Sequence, residues 1–309
     1  MDIRDLPLKG YLKPLLKYLE KKDIVEICVN KEGEIALEDI KGQWHWFSDK
    51  NITRELFETL AKYLANKTTQ RFGADVPSYA GTLPGYGYRL QINCGAMVQS
   101  GLAVSIRISQ ASKYPLTSYM SEEKAEILSE MVKDGKTILV CGATGSGKTT
   151  LLNALIDHIP QDKRIITLQD TPELVVSHRN AVHLIKSKTE SDIAGLKYKH
   201  FMNAITRLRP DRILLGEIDT DNVLAFLKLA NIGHSGSIST IHASNPVEAL
   251  NSLCTNVQMS GESNATVESI YQFAKQAIDC FITIKKINTP TGRQFVVDYI
   301  LREDVKNEL

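Results

Sequence analysis

Eight consecutive residues, Gly142-Ala143-Thr144-Gly145-Ser146-Gly147-Lys148-Thr149, carry the most specific chemistry in the chain, matching G-x-x-x-x-G-K-[ST] at every fixed position. In such a loop the glycines let backbone N–H groups turn inward around phosphate oxygens, and the helix that follows points its N-terminus at them. Lys148 then neutralises β/γ-phosphate charge, and the Thr149 hydroxyl is placed to ligate Mg2+. Thr150 completes the binding stretch 142–150. The motif requires a strand before it and a helix after it. Residues 137–141 are apolar enough for the first, and Leu151, Leu152, Leu155 and Ile156 give the second an apolar face. No N-K-x-D or T-K-x-D reads guanine, and no L-S-G-G-Q is present. On motif grounds a small-molecule kinase stays open.

Three further segments could act on a bound phosphate. Arg209-Pro210-Asp211-Arg212-Ile213-Leu214-Leu215-Gly216-Glu217 reads as a hydrophobic strand ending in a carboxylate. The carboxyl edge of a parallel sheet is where ligands of α/β folds sit. Glu217 is the favoured residue to orient or activate an attacking water, the alternative being a solvated strand-end Glu. Gln169-Asp170-Thr171-Pro172-Glu173 follows another strand, and its Thr-Pro turn can hold Asp170 and Glu173 near a metal. Helix capping by Asp170 or Thr171 would explain the same residues. Around Gly233-His234 and Thr240-Ile241-His242, period-two alternation puts Thr240 and His242 on one face, where both can point at a γ-phosphate. A core or capping histidine is the commoner origin of this pattern. With no Cys or third His nearby, zinc is not expected.

These segments need a scaffold, and the periodicity supplies one. Between residues 121 and 241 strands and helices alternate: a helix opened by Ser121, Glu122 and Glu123 and stopped at Asp134-Gly135, then strands at 137–141, 164–168, 182–185, 212–215 and 237–241. Helices fall at 148 onward, 192–207 and 222–230, and strand-like runs at 280–284 and 294–300 read as a terminal hairpin. Near-continuous Ile/Leu/Val strands alternating with helices predict a mostly parallel sheet covered on both faces. Before the polar stretch around Pro115 lie a helix near 14–22, a strand at 24–29, a hairpin through Gly33, a helix at 53–66 and several strands, the order of a smaller α+β domain. The expected division is therefore 1–110, a linker at 111–120, and 121–309.

Composition removes several classes. Lys plus Arg is 37 and Asp plus Glu 36, a formal charge of +1, so no dedicated sequence-specific nucleic-acid binding is expected. Five scattered cysteines (Cys28, Cys94, Cys141, Cys254, Cys280) form no C-x-x-C pair and read as reduced thiols. No apolar run reaches the ~18 residues of a membrane span, and no signal-peptide pattern opens the chain, which predicts a cytoplasmic protein. Leu12, Leu15, Leu16 and Leu19 with Lys13, Lys17, Lys21 and Lys22 make a short basic amphipathic stretch. It suits weak contact with anionic lipid, although a helix packed on its own domain is the commoner reading.

Taken in order and spacing, these segments resemble the traffic ATPases of bacterial secretion, most closely the hexameric ATPases of type IV secretion systems. In that family 142–149 corresponds to the Walker A motif, the Asp170 to Glu173 segment to an acidic box, 209–217 to the Walker B strand, and 233–242 to a histidine box. Ala80-Gly-Thr-Leu-Pro to Arg89-Leu-Gln-Ile, and Val104-Ser-Ile-Arg107-Ile, resemble the stretches that aim arginines at the nucleotide. Each arginine also lies in a strand-like run, where a guanidinium directed at phosphate is one reading and an exposed polar-face Arg the other.

The resemblance implies a RecA-like ATPase domain, a PAS-like N-terminal domain, ATP and Mg2+ as ligands, and a ring of six identical subunits. It further implies inner-membrane secretion components as partners and a place at the cytoplasmic face of the inner membrane. Two departures stand out: Gln169 replaces an acidic-box Glu, and Ile218-Asp219-Thr220-Asp221-Asn222 follows Glu217 where the family usually carries Val or Ile, Arg and Gly, then a Glu shortly after. A pilus retraction or assembly ATPase is the nearest alternative within the superfamily. A slowly hydrolysing, nucleotide-gated docking platform is the alternative outside motor function.

Overall fold

Apolar alternation and one capped helix build the first part of the computed structural model, which describes residues 6–108, 114–186, 193, 195–231, 236–289 and 292–305. The elements there are α1 (Leu6–Leu12), α2 (Leu16–Leu19), β1 (Ile24–Val29), β2 (Glu34–Asp39), β3 (Trp44–Ser48), α3 (Arg54–Lys67), β4 (Ser78–Leu83), β5 (Tyr88–Cys94) and β6 (Leu102–Arg107). The strands form an antiparallel sheet in the order β3-β2-β1-β6-β5-β4. Ile27, Leu37, Leu90, Ile92, Val104 and Ile106 are buried on one face of it. Phe57, Leu60, Ala61 and Leu64 of α3 belong to the same core. The helix starts where Thr53 Oγ1 accepts the Leu56 N–H at 3.2 Å, with Glu55 in its first turn and Lys67 in its last, as the helix dipole favours.

The helix expected at 14–22 is instead two short pieces on either side of Pro14. Proline has no N–H to continue the ladder, so α1 ends with the helical bond of Lys13 N to Lys9 O, and Leu15 N then closes a tight turn onto Leu12 O. Leu12, Leu15 and Leu19 are buried in the unit's own core. Lys17 Nζ lies 2.7 Å from Asp49 Oδ2, which also accepts the Tyr18 hydroxyl at 3.0 Å. The leucine stripe is thus not free to enter a bilayer, and only lysine heads such as Lys13 and Lys22 are left to meet lipid.

By their internal contacts, Met1–Gln110, Asp170–Pro172 and Lys186–Leu196 form one compact unit, and Ala111–Gln169, Glu173–Ile185 and Lys197–Leu309 the other. The second contains α4 (Glu122–Lys133), β7 (Ile138–Cys141), α5 (Lys148–Ile156), β8 (Ile165–Gln169), β9 (Ala181–Ile185), α6 (Tyr198–Arg207), β10 (Arg212–Leu215), α7 (Val223–Asn231), β11 (Ile238–Ile241), α8 (Pro246–Ser260), α9 (Val267–Ala277), β12 (Cys280–Thr289) and β13 (Gly292–Leu301).

Its sheet runs β13-β12-β7-β11-β10-β8-β9, parallel throughout except for the β12–β13 hairpin. All four residues of each of β7, β10 and β11 are buried, the signature of a sheet covered on both sides. Ile138 and Val140 join one core with Leu128 of α4 and Leu151 and Leu155 of α5. Leu139 and Cys141 join the other, with Ile205, Phe226, Leu250 and Tyr271 from α6 to α9. Helices α8 and α9 lie outside the alternation read from the sequence. Asn245 and Thr266 cap them, with side-chain oxygens accepting the N–H of Glu248 and Ser269.

Asp49 gives the first unit a pH signature. Its carboxylate is held down to about 2, first by the Lys17 hydrogen bond and then by the Asn51 backbone N–H. A folded value below the unfolded one, about 3.9, makes its contribution complete above that value and lost as pH falls through the folded one. Wild type should therefore be more stable than Asp49→Asn in urea titrations at pH 5, and the gap should close between about pH 4 and pH 2. A gap that persists at pH 2 would place the effect in packing instead.

Candidate functional site

The loop at 142–149 leaves the central strand β7 and enters α5 through two glycines that no other residue replaces without strain. A Cβ on Gly142 would sit 2.5 Å from Ser146 Oγ and 2.7 Å from Ile284 O. Gly147 has φ +95°, and a Cβ there would meet the Phe295 ring at 3.0 Å. The rear of the loop is thus closed by the β12–β13 hairpin, while Ala143, Thr144 and Gly145 remain exposed at its crest. Leu151 N bonds to Gly147 O at 2.9 Å, so helical bonding begins directly from the loop. Thr149 and Thr150, in the first turn, are half-buried.

Lys148 is buried, with 8% of its surface exposed. A buried ammonium must find acceptors for its N–H groups. Its Nζ donates to Gly142 O at 2.8 Å and Ala143 O at 3.0 Å, and contacts His242 Nδ1 at 3.1 Å. Because an ammonium only donates, Nδ1 is the acceptor and the ring proton belongs on Nε2. Nε2 lies 2.5 Å from Glu217 Oε1, which is placed to accept that proton's hydrogen bond. Three sequence candidates, Lys148, His242 and Glu217, are thereby joined in one chain of hydrogen bonds.

Strand order accounts for this convergence. β11 lies between β7 and β10, so His242 after β11 and Glu217 after β10 emerge beside the loop that follows β7. The backbone around Glu217 is pinned by its neighbours: Ile218 N bonds to Thr240 O at 2.8 Å, and Asn222 Nδ2 to Glu217 O at 2.8 Å. Thr240 differs from the sequence expectation. Its hydroxyl, 2% exposed at the residue level, donates to Gly216 O at 2.9 Å and fixes the strand end rather than reaching outward. Asp219, one of the departures, accepts the N–H groups of Asp221 and Asn222 through Oδ1, the turn that leads into α7.

Gln169 has an equally local reason. It is buried, and its Oε1 accepts both Glu173 N and Leu174 N at 2.9 Å, so a neutral amide organises the acidic turn without burying a charge. Asn153 of α5, which the sequence pattern did not single out, clasps the same turn through Glu173 O at 3.0 Å and Val175 N at 2.9 Å. Its only sequence signal is a polar residue inside an otherwise leucine-rich helix. Glu173 is half-buried beside this clasp. Cys141, at the end of β7, is pushed up to about 12 by burial and remains a packed thiol.

Arg89 and Arg107 lie in the first unit, directly opposite each other across β5 and β6, and both are exposed. Two cations facing across a ladder repel, and Glu26 of β1, opposite Arg107 on its other side, is an anion in the same row. Asp170, grouped with that unit, has Oδ2 4.0 Å from Arg89 Nη2. Gly233 and His234 lie outside the described residues. Among those described, no group of three or more His, Cys, Asp or Glu could hold a metal ion.

Comparison with known proteins now supplies the family. Residues 88–287 match the model of the family described as type II/IV secretion system protein. The type IV secretion system protein VirB11 of Bartonella quintana is 31% identical, over 89% of this chain and 88% of its own length. Protein VirB11 of Agrobacterium fabrum is 32% identical, over 91% of this chain and 90% of its own.

The chain belongs to the type II/IV secretion system protein family. Within it, the relatives place the chain among the type IV secretion ATPases. The crystal structure of the VirB11 ATPase from the Brucella suis type IV secretion system, in complex with sulphate, superposes with a TM-score of 0.51 at 26% identity. The match covers 96% of this chain and 94% of that one. The fold is the RecA-like α/β sheet of this family, preceded by an N-terminal domain, as the family resemblance implies, and its sheet is mostly parallel, as the strand alternation predicts.

Proposed function

We propose that this secretion ATPase hydrolyses Mg-ATP at the 142–150 loop, with the Lys148–His242–Glu217 chain as its working part. The chain of 3.1 and 2.5 Å contacts is the observation that carries this reading. Backbone N–H groups of the loop and the Lys148 ammonium bind the β/γ-phosphates, and Thr150 lies at the same helix start. A γ-phosphate competes with His242 Nδ1 for the Lys148 proton. His242 thereby reports phosphate charge to Glu217, which orients the attacking water and accepts its proton.

Hard oxygen donors suit Mg2+: Thr149 supplies a hydroxyl, and Asp170 and Glu173 carboxylates. When bound, the ion would neutralise charge developing on the phosphoryl oxygens.

The roles of Arg89 and Arg107 follow the family resemblance and their paired positive charge. We assign them to the transferring phosphoryl group, with 1–110 and 121–309 as cooperating domains joined at 111–120. Assembly as a homohexameric ring, docking to inner-membrane secretion components and residence at the cytoplasmic face complete the reading. No helix among the described residues is long and apolar enough to cross a membrane. Lipid contact would then be peripheral, through lysine heads.

Two variants separate binding from chemistry. Lys148→Ala should lose nucleotide binding while keeping its circular dichroism spectrum, because no neighbouring cation replaces that charge. Glu217→Gln should bind ATP normally and lose turnover, since an amide keeps the shape but cannot act as a base. Turnover within about twofold of wild type in Glu217→Gln would move the base elsewhere.

For the first domain, Arg107→Ala should lower turnover by up to the ~10³-fold of an arginine finger with a much smaller loss of ATP affinity. Arg107→Lys should rescue it poorly, lacking the planar fork. Full turnover in Arg107→Ala would remove this arginine from the active site.

A further inference from the structure

The chain has two tryptophans, and both lie on β3, an edge strand of the first sheet paired only with β2 among the described strands. Trp44 is 44% exposed and Trp46 55%. Being two residues apart, they share one face, with Glu38 opposite Trp44 and Ala36 opposite Trp46. Edge strands offer unpaired N–H and C=O groups, and proteins ordinarily guard them with Lys, Pro, bulges or short length. The sequence of β3, WHWFS, contains no Lys or Pro, and its five pairs with β2 run in unbroken register. Its titratable side chain, His45, sits on the opposite face and is bonded to Asp39 at 2.9 Å. An aromatic strand of high β-propensity is thus left open.

The charge beside it indicates what would cover it. Glu38 neighbours Trp44 in the ladder and Glu26 in the next strand, and Glu26 in turn lies opposite Arg107 of β6. Glu26 is bonded by the Ser105 hydroxyl, and Glu34, opposite Ser48, has Lys31 at 3.4 Å. Glu38 itself makes no ion pair among the described residues. A cation placed at the edge would meet the Glu38 carboxylate and lie against indole faces, which attract cations.

We propose that β3 is a docking edge for an extended, Lys/Arg-bearing segment of a partner protein. The segment adds as a further strand, its main chain bonding to β3 and its alternate basic side chains lying over Trp44 and Trp46 and against Glu38. Strand addition of this kind draws affinity from the backbone and selectivity from alternate side chains.

Because both tryptophans lie on this strand, intrinsic fluorescence of the full-length protein reports directly on it. A short synthetic peptide alternating Lys with Val should shift the emission to the blue and saturate, whereas the same peptide with Glu for Lys should not. Trp46→Lys, which places a guarding charge on the edge, should weaken the Lys peptide about tenfold or more. Glu38→Lys should reverse the preference toward the Glu peptide. Unchanged circular dichroism and ATP turnover in both variants would show that the fold is intact. No response to the Lys peptide, equal responses to both peptides, or a blue shift produced by protein concentration alone would overturn the proposal. The last result would assign the edge to a second copy of the chain.

Discussion

A buried ammonium needs three acceptors, and the second unit is organised around meeting that need at Lys148. Two acceptors are carbonyls of the loop that precedes it, and the third is His242. The histidine can arrive only because β11 lies directly against β7 in the sheet, and Glu217 because β10 is next in line. The loop itself can turn tightly only because Gly142 and Gly147 leave room for Ser146, Ile284 and Phe295 behind it. Strand order, glycine placement and the charge of one lysine are therefore a single constraint. The chemistry becomes possible where that constraint is met.

Much of this was legible in the residues. The loop motif with its strand and helix flanks, the strand ending in Glu217, and the face shared by Thr240 and His242 all follow from short-range spacing, which sequence displays directly. What could not be read is which partner each polar side chain chooses. Thr240 could have reached outward, yet its hydroxyl is held by Gly216 O. Gln169 and Asp219 look like losses of function beside the family pattern. In the structure each instead fixes a turn through backbone N–H groups. Asn153 is invisible to spacing arguments because both of its partners, Glu173 and Val175, are about twenty residues away in the chain.

The amino-terminal region shows the same division between local and long-range information. A leucine stripe among lysines reads more commonly as a packed helix than as a membrane-surface one, and Pro14 and Asp49 together decide it. Proline breaks the helix, and the carboxylate thirty-two residues beyond Lys17 draws the second piece onto its own sheet. The helices α8 and α9 have ordinary capping residues, but their apolar faces become meaningful only against the core they share with Leu139 and Phe281.

The central claim is that His242 carries information about the γ-phosphate from Lys148 to Glu217. Its most direct test is the ratio of affinities for ADP and a non-hydrolysable ATP analogue, measured by calorimetry in wild type and His242→Ala. The account predicts ADP affinity nearly unchanged and discrimination between the two nucleotides lost, since the residue acts on the group that hydrolysis removes. Unaltered discrimination, accompanied by a stability loss of roughly 1–3 kcal/mol, would contradict it and make His242 a packing residue.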